Sequence, residues 1–251
     1  MKKKFKILAI VSARGGSKGI PRKNVKNLGG KALILHCIGT LDKIKEIDKI
    51  VLSSDDTKIL RLVKNYSKKL ELSHRPKQLA RDNTPLTSVV KYEAIKCEKK
   101  GYKADFVLQV APTCPFIKTN TIKKIIKHLI KKRSSCVVTL KKVEHDHPYR
   151  TKRLLKNNYM QHFIKNINVE KFISRQDLPT LYTTSGAIYG RTYELLKSFN
   201  EKNFCLGNKP MGIVVDDIEA INIDRHIDFE FAKFILEKKI KWYCKSLNIF
   251  F

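Results

Sequence analysis

Paired cysteines are missing from this sequence. Its six cysteines are widely scattered over 251 residues, and no two of them form a Cys-x-x-Cys pair, so the spacing indicates neither a structural zinc site nor a disulfide framework. Long apolar runs are missing too, because the apolar segment after the basic N-terminus covers only residues 5–11. It is too short for a membrane span or a secretory signal peptide. We therefore expect a reduced, cytoplasmic protein without a targeting or transmembrane segment.

Acidic residues are scarce: 23 Asp and Glu stand against 52 Lys and Arg, which gives a formal net charge of +29. A positive field of this size attracts nucleic acids, anionic membranes and anionic metabolites. Many of the lysines follow helical spacing, as in residues 123–132, which is typical of a solvated helix face. No zinc-finger or RRM signature accompanies them. We therefore expect no nucleic-acid or membrane partner.

The usual glycine patterns of nucleotide-binding loops are missing as well, since the chain has neither Gly-x-Gly-x-x-Gly nor Gly-x-x-x-x-Gly-Lys-Ser/Thr. Instead, residues 14–24 read RGGSKGIPRKN directly after segment 5–11, which has the composition of a buried strand. The glycines allow backbone N–H groups to surround an anion, and the cations suit a nucleoside triphosphate that loses pyrophosphate. The segment predicts a phosphate-binding loop; a mobile basic loop is the alternative.

Predicted strands and helices alternate along the chain. The predicted strands cover residues 5–11, 49–53, 105–110, 135–140, 186–189, 212–215 and 220–223. The predicted helices cover residues 31–45, 57–63, 84–99, 119–131, 192–199 and 225–237. This order favours an α/β fold with three layers and a mostly parallel sheet, whose ligands lie at the carboxyl ends of the strands. We expect one domain over residues 1–251, with the polar segment 141–185 as an excursion from the sheet.

Residues 14–24 resemble the N-terminal signature of the CMP-sialic acid synthetases, also called acylneuraminate cytidylyltransferases. Further segments are similar to that family, and the resemblance extends from residue 7 to about residue 232. They are SSDD at residues 53–56, Arg75-Pro76, LARDNT at 79–84, Gln109 with PTCP at 112–115, SRQDLP at 174–179, Tyr182, and SGAIY at 185–189.

The resemblance implies a Rossmann-like fold of the nucleotide-diphospho-sugar transferase type. It implies an enzyme that joins CTP to a nonulosonic acid, a nine-carbon sugar acid, with release of pyrophosphate. It also implies a homodimer, in which segment 141–185 reaches across the two-fold axis and contributes to sugar binding. The residues implied to bind the nucleotide are Arg14, Gly15, Gly16, Ser17, Lys23, Asn24 and Arg75. Among them, Arg14 and Lys23 would hold phosphates as catalytic residues, and Arg75 would lie near the cytosine.

The sugar-binding residues implied by the resemblance are Gln109, Arg175, Tyr182 and Ser185. Two of these positions depart from the family pattern. Ser185 stands where Asn is usual, and a hydroxyl cannot make the paired contacts of an amide. Val110 and Ala111 are extra residues between Gln109 and the proline motif. The alternative for Arg175 is a surface ion pair with Asp177.

The family ends its sheet with Ile-Asp-Ile-Asp, whose carboxylates bind Mg²⁺, whereas this chain has INID at residues 221–224. The resemblance therefore implies Mg²⁺ as the cofactor, with Asp224 as a catalytic metal ligand and Asn222 as a second ligand. Alternation on the predicted strand would put both side chains on one face. An amide oxygen can coordinate Mg²⁺, but the site loses one charge. Asp216, Asp217 or Glu219 could compensate.

Other functions stay open on the sequence. Members that use pseudaminic acid often carry Arg where Gly19 stands, which favours sialic or legionaminic acid as the substrate. A related enzyme for pseudaminic acid or for an eight-carbon acid is the alternative within the same chemistry. From another class, Asn222 and Ser185 would also suit a catalytically weakened homologue that binds a nucleotide or another protein.

Overall fold

The computed structural model describes residues 5–16, 19–131, 134–165 and 168–238. The strands are β1 (Ile7–Ser12), β2 (Asn27–Leu28), β3 (Lys31–Ala32), β4 (Lys49–Ser54), β5 (Leu70–His74), β6 (Phe106–Val110), β7 (Cys136–Lys142), β8 (Lys152–Leu154), β9 (Met160–His162), β10 (Tyr182–Thr192) and β11 (Met211–Val214). The helices are α1 (Leu33–Asp42), α2 (Thr57–Leu62), α3 (Leu86–Lys99), α4 (Thr119–Ile130), α5 (Tyr193–Lys197) and α6 (His226–Glu237). None of these helices has the length and apolar character needed to cross a bilayer.

The central sheet has seven strands in the order β11-β7-β10-β6-β1-β4-β5. Strand β1 pairs in parallel with β4 and β6, β4 with β5, and β11 with β7. Strand β10 runs antiparallel between β6 and β7. The mostly parallel sheet predicted from the sequence is confirmed. The chain passes from β1 to β4 and β5 on one side and returns to β6 on the other, so strand order reverses between β1 and β6.

Helices cover both faces of this sheet. Side chains of Ile7, Ala9 and Val11 point to one face and join the core formed with α1, α2 and α4. Leu8 and Ile10 point to the opposite face and join the core formed with α3 and α5. Because successive strand residues alternate between faces, an unbroken apolar strand such as β1 has to be covered on both. The three-layer α/β fold is therefore confirmed.

The polar segment after β7 leaves the sheet later and returns earlier than predicted. Strand β7 extends to Lys142, and β10 begins at Tyr182, where the two residues are paired. Between them, β8 and β9 form a separate two-stranded hairpin. Short 3₁₀ turns at Pro148–Arg150 and Arg175–Asp177 flank this hairpin along the chain. The predicted excursion thus corresponds to structure outside the seven-stranded sheet, but residues 182–185 belong to β10.

One predicted strand of the sheet is wrong, and one strand was missed. The segment 220–223 is not a strand, and Ile223 instead makes one backbone hydrogen bond, from its N–H to the carbonyl of Thr113 at 2.9 Å. Strand β5, which the sequence pattern did not reveal, forms the edge of the sheet beside β4. This strand, with the sequence LELSH, is short and partly polar, since an edge strand needs less apolar surface than a central one.

Strand β10 approaches α4 most closely at Gly190. A Cβ at this position would lie 2.6 Å from Cγ2 of Ile125 and 3.0 Å from Cδ1 of Leu129. We therefore expect Gly190→Ala to lower the free energy of unfolding by about 1–3 kcal/mol through overpacking. Chemical denaturation monitored by circular dichroism measures the change.

The matched control is Gly16→Ala, because a Cβ there would meet nothing within 4 Å. Both variants restrict the unfolded chain in the same way. Equal unfolding free energies for the two variants would contradict the close packing of β10 on α4.

Candidate active site

Two cavities meet at the carboxyl ends of the parallel strands. The first has a volume of ≈ 470 Å³ and the second ≈ 940 Å³. The first cavity lies where strand order reverses, between the segments that follow β1 and β6, and the segment after β5 closes it. Asp224 lines both cavities. An open α/β sheet binds its ligands in a crevice of this kind.

The first cavity brings together several residues that the sequence predicts for nucleotide binding. Its lining includes Arg14, Lys23, Asn24 and Arg75. Arg14 follows β1 and donates from Nη1 to Oδ1 of Asp82 at 2.7 Å. Three cationic side chains and an amide thus surround one concave surface, which is the electrostatic requirement for binding a polyanion.

The glycine loop is anchored by the acidic segment after β4. The N–H of Gly15 donates to Oδ1 of Asp55 at 3.1 Å. A Cβ at Gly15 would lie 2.8 Å from Cβ of Asp56, so the close approach requires glycine. Gly16 has open space around it. Ser17, the remaining residue predicted for this loop, lies outside the described residues.

Two residues that line the first cavity, Ser12 and Asn24, each have a buried oxygen, Oγ and Oδ1 respectively, without a hydrogen-bond partner among the described residues. Nδ2 of Asn24 donates to the carbonyl of Arg14 at 3.2 Å, which fixes the amide so that Oδ1 is an acceptor. Buried polar atoms in folded proteins nearly always have partners, so these two oxygens set Ser12 and Asn24 apart within the lining of the cavity. Sequence reasoning missed Ser12; its only signal was a hydroxyl at the end of β1.

Lys23 links the basic loop to Asp224. Its ammonium group donates to Oδ1 of Asp224 at 2.9 Å and also to the carbonyl of Ile223. Lys23 is only 8% exposed, so its charge needs such acceptors. Gly19 makes the approach possible, because a Cβ there would overlap the carbonyl oxygen of Asp224. The loop that follows β1 is therefore held against Asp224, the residue that lines both cavities.

Asn222 orients the same carboxylate. Its Nδ2 donates to Oδ2 of Asp224 at 2.7 Å, and its Oδ1 accepts from the hydroxyl of Thr113 at 2.5 Å. Because segment 220–223 is not a strand, these side chains meet through this hydrogen bond and not through strand alternation. The amide nitrogen faces the carboxylate, while the amide oxygen faces Thr113.

The side chains around Asp224 fit Mg²⁺ only if a bound substrate supplies further oxygen ligands. Within the described ranges, no three His, Cys, Asp or Glu side chains cluster as metal ligands. Glu219 accepts from the N–H of Lys118 at 2.8 Å, and Asp216 forms an ion pair with the same lysine at 2.5 Å, so both hold the start of α4. Mg²⁺ often binds one or two carboxylates together with substrate phosphates, and Asp224 satisfies that requirement.

Carboxylates near this site have shifted pKa values. Burial raises the pKa of Glu219. For Asp228, burial also acts to raise the pKa, but the backbone N–H groups of Arg225 and Asp224, together with the Arg225 guanidinium, outweigh it, so that the pKa is lowered. Asp228 accepts both N–H groups at the start of α6, at 2.7 and 3.1 Å. It is therefore a helix-capping residue.

Arg75 forms the floor of the first cavity and is 1% exposed. Its Nη2 donates to the carbonyl of Ser53 at 2.8 Å, and its Nε donates to the hydroxyl of the same residue at 3.3 Å. Burial lowers the pKa of Arg75, while Asp55 and Glu93 oppose that effect through their negative charge. An arginine remains charged under such shifts, so Arg75 is a fixed cation at this floor.

The second cavity lies between the ends of β7 and β10 and the start of α6. Ser185 lines it, is buried, and donates from Oγ to Oγ1 of Thr139 at 2.7 Å. Gly186 has φ of +78°, at the point where the β7–β10 register shifts. Ser185 therefore lies at a bulge of β10, a type of irregularity that is common next to binding sites.

The other predicted sugar-binding residues are placed differently. Arg175 forms an ion pair with Glu144, which lines the second cavity, and not with Asp177. Tyr182 is half exposed at the start of β10. Gln109 does not line either cavity in the described part of the chain, and its Oε1 accepts from Nη1 of Arg191 at 2.9 Å. The structure thus brings Ser185 into the cavity and Arg175 close to its rim, whereas Gln109 is in a buried network.

The sequence profile of a family described as cytidylyltransferase matches residues 8–243. A pseudaminic acid cytidylyltransferase of Campylobacter jejuni (serotype O:23/36, strain 81-176) is 31% identical, over 92% of this chain and 96% of the relative. A CMP-N,N'-diacetyllegionaminic acid synthase of Legionella pneumophila is 27% identical, over 93% and 97%. An N-acylneuraminate cytidylyltransferase of Streptococcus agalactiae serotype V is 29% identical, over 96% of this chain and 58% of the relative.

Solved structures show the same fold. A CMP:2-keto-3-deoxy-manno-octonic acid synthetase solved in complex with CTP superposes with a TM-score of 0.68, covering 94% of this chain and all of that one at 14% identity. A 4-diphosphocytidyl-2C-methyl-D-erythritol synthase from Anaerococcus prevotii superposes with a TM-score of 0.64, covering 94% and 100% at 18% identity. At these identities, the likeness concerns the arrangement of strands and helices.

The contact between Lys23 and Asp224 generates a prediction about stability. A double-mutant cycle with Lys23→Met and Asp224→Asn should give a coupling energy of about 1 kcal/mol in unfolding experiments, because Lys23 is largely buried while Asp224 is mostly exposed. Urea denaturation of the wild type, both single variants and the double variant measures it. A coupling energy of zero would show that the two side chains do not interact in solution.

Proposed function

The chain belongs to the cytidylyltransferase family, and we propose that it transfers CMP from CTP to a nonulosonic acid with release of pyrophosphate. The observation that carries this proposal is the position of Asp224, which lines both cavities. The first cavity would hold CTP and the second the sugar acid. The reacting groups would then meet beside Asp224.

In the proposed reaction, the anomeric 2-hydroxyl of the sugar acid attacks the α-phosphorus of CTP. A bond forms between that oxygen and phosphorus, the bond from phosphorus to the pyrophosphate oxygen breaks, and the hydroxyl proton is released. Phosphoryl transfer of this kind depends on positioning and on neutralising charge. Arg14 and Lys23 supply cationic groups in the first cavity. Their role is to hold the phosphates in line with the second cavity.

Mg²⁺ is the proposed cofactor and, when bound, would neutralise charge on the phosphate oxygens. Asp224 would hold it, with Asn222 as a second ligand if its amide oxygen leaves Thr113. In this structure Asn222 donates to Asp224 and keeps the carboxylate beside Lys23. Lys23 therefore partly neutralises the negative charge of Asp224 before the nucleotide binds.

The sugar acid is proposed to occupy the second cavity, whose lining includes Ser185, Arg225 and Lys142. Cations suit its carboxylate, and the hydroxyl of Ser185 suits a polar substituent. Gly19 favours sialic or legionaminic acid on the sequence, whereas the 31% identical relative is named for pseudaminic acid. An assay with a panel of sugar acids therefore has to identify the acid.

We predict that CTP raises the melting temperature more than ATP, GTP or UTP at equal concentration. A pocket specific for cytosine binds only the folded state and stabilises it according to ligand affinity. Differential scanning fluorimetry with each nucleotide and Mg²⁺ measures the shift. Equal shifts with all four nucleotides would remove the cytidylyl assignment.

A pyrophosphate-release assay completes this test. With CTP and a panel of sialic, legionaminic, pseudaminic and eight-carbon acids, at least one nonulosonic acid should stimulate release, and Asp224→Ala should abolish it. Selective CTP binding without turnover of any acid would instead support a catalytically weakened homologue.

We further propose that the protein is a homodimer built through segment 141–185. Apolar side chains on this segment are exposed: Tyr159 is 71%, Met160 72% and Ile173 82% accessible. Exposed apolar clusters mark interaction surfaces, and a two-fold dimer is the commonest assembly. In the family that the sequence resembles, the corresponding segment reaches across such a dimer.

Light scattering at micromolar concentration should therefore give twice the chain mass of 29.0 kDa. Tyr159→Ser combined with Met160→Ser should shift the mass toward the monomer, since both side chains lie on the hairpin. Phe204→Ser is the control, because Phe204 is 85% exposed but lies outside the segment. A wild-type monomer, or a double variant that stays dimeric, would contradict the proposal.

A further inference from the structure

Arg75 has two chemically different edges. Ser53 accepts from its Nε and Nη2, whereas Nη1 donates to no described residue and Arg75 lines the first cavity. The edge that carries Nη1 can therefore contact a ligand. We propose that Glu93, a buried residue of α3, is a positioning residue that holds this edge of Arg75 toward the cytosine. The inference rests on the proposed function, because it assumes CTP in the first cavity.

Glu93 reaches Arg75 through the hydroxyl of Ser53. Oε1 of Glu93 accepts from Oγ of Ser53 at 2.7 Å, and the same Oγ accepts from Nε of Arg75 at 3.3 Å. A serine hydroxyl has a single proton, and it accepts a hydrogen bond from Arg75 while that proton points to another acceptor. Glu93 is the acceptor of this second hydrogen bond. The carboxylate thereby fixes the hydroxyl in the orientation that suits the guanidinium.

A second hydroxyl repeats this arrangement. Oγ of Ser73 donates to Oε1 of Glu93 at 3.0 Å and accepts from Nζ of Lys96 at 2.7 Å. The carboxylate of Glu93 therefore lies between two cations, each of which contacts it through a serine. The negative charge of Glu93 also acts on Arg75 and opposes the lowering of its pKa by burial.

The burial of Glu93 shows that its contacts must be specific. It is 1% exposed, and a buried carboxylate is unfavourable unless nearby donors and cations compensate it. An apolar residue at this position of α3 would fill the core without those requirements. The two serines and two cations therefore account for a carboxylate where packing alone would favour an apolar side chain.

A guanidinium held in this way can distinguish cytosine from uracil. Cytosine presents two adjacent acceptors, O2 and N3, to a donor-only group, whereas uracil carries a proton on N3. Discrimination requires that the guanidinium plane stay fixed, because a mobile arginine could turn away from the N3 proton. Sites built to pair with one hydrogen-bonding pattern reject its alternative strongly. The network around Glu93 supplies that rigidity.

The test is Glu93→Gln, which keeps the shape of the side chain and removes its charge. We expect the affinity for CTP, measured by isothermal titration calorimetry, to fall about tenfold, as for the loss of one hydrogen bond to a charged group. Affinity for UTP should change less, so the CTP-to-UTP affinity ratio falls. Affinity for tripolyphosphate, which has no base, should be unchanged. Thermal melting of the variant reports whether the fold is retained.

Glu98→Gln is the matched control, since Glu98 lies on the same helix but accepts from Tyr193 at 2.5 Å, outside the first cavity. It should keep the wild-type CTP-to-UTP ratio. Arg75→Lys should lower the ratio at least as much as Glu93→Gln. An unchanged ratio in Glu93→Gln, or a wild-type protein that binds CTP and UTP equally, overturns the inference. Selective binding without CMP transfer to any acid would leave the inference standing and refute the proposed function.

Discussion

The contact of Lys23 with Asp224 is the constraint on which the arrangement of both cavities depends. It joins Lys23 of the loop after β1 to Asp224, two residues before α6, and these residues are 201 positions apart in the chain. Gly19 lies against the carbonyl of Asp224, so the backbones meet where the side chains pair. The contact thus lies at the boundary between the two cavities, both of which Asp224 lines.

Apolar packing holds this contact in place from behind. A separate core cluster joins Ile20 of the basic loop, Leu33 of α1, Phe116 after β6, and Ile223 and Phe229 around the start of α6. All five are buried. The cluster fixes residues on either side of the Lys23–Asp224 pair, so the pair does not have to order the segments by itself. A partly exposed ion pair alone contributes too little free energy to do so.

Much of the fold could be predicted from the sequence because the central strands are apolar on both faces, as in β1 with Ile7 and Leu8. Prediction from the apolar pattern failed where contacts between residues distant in the sequence determine the structure. Residues 221–224 alternate like a strand, but no neighbouring strand pairs with them, and one hydrogen bond from Ile223 to Thr113 replaces the ladder. The same limit applies to the site. The direction of Gln109 depends on Arg191 of the neighbouring strand, and the place of Ser12 in the cavity lining depends on the segments that follow β5 and β6.

Three groups predicted to bind the nucleotide are each paired with an aspartate in this structure. Arg14 donates to Asp82, the N–H of Gly15 to Asp55, and Lys23 to Asp224. These carboxylates keep the donors ordered and limit repulsion in a chain whose formal net charge is +29. In the proposed function, binding of a polyphosphate would be an exchange of acceptors around donors that already have a fixed position. Because the ordering is present before the ligand arrives, less conformational entropy is lost on binding.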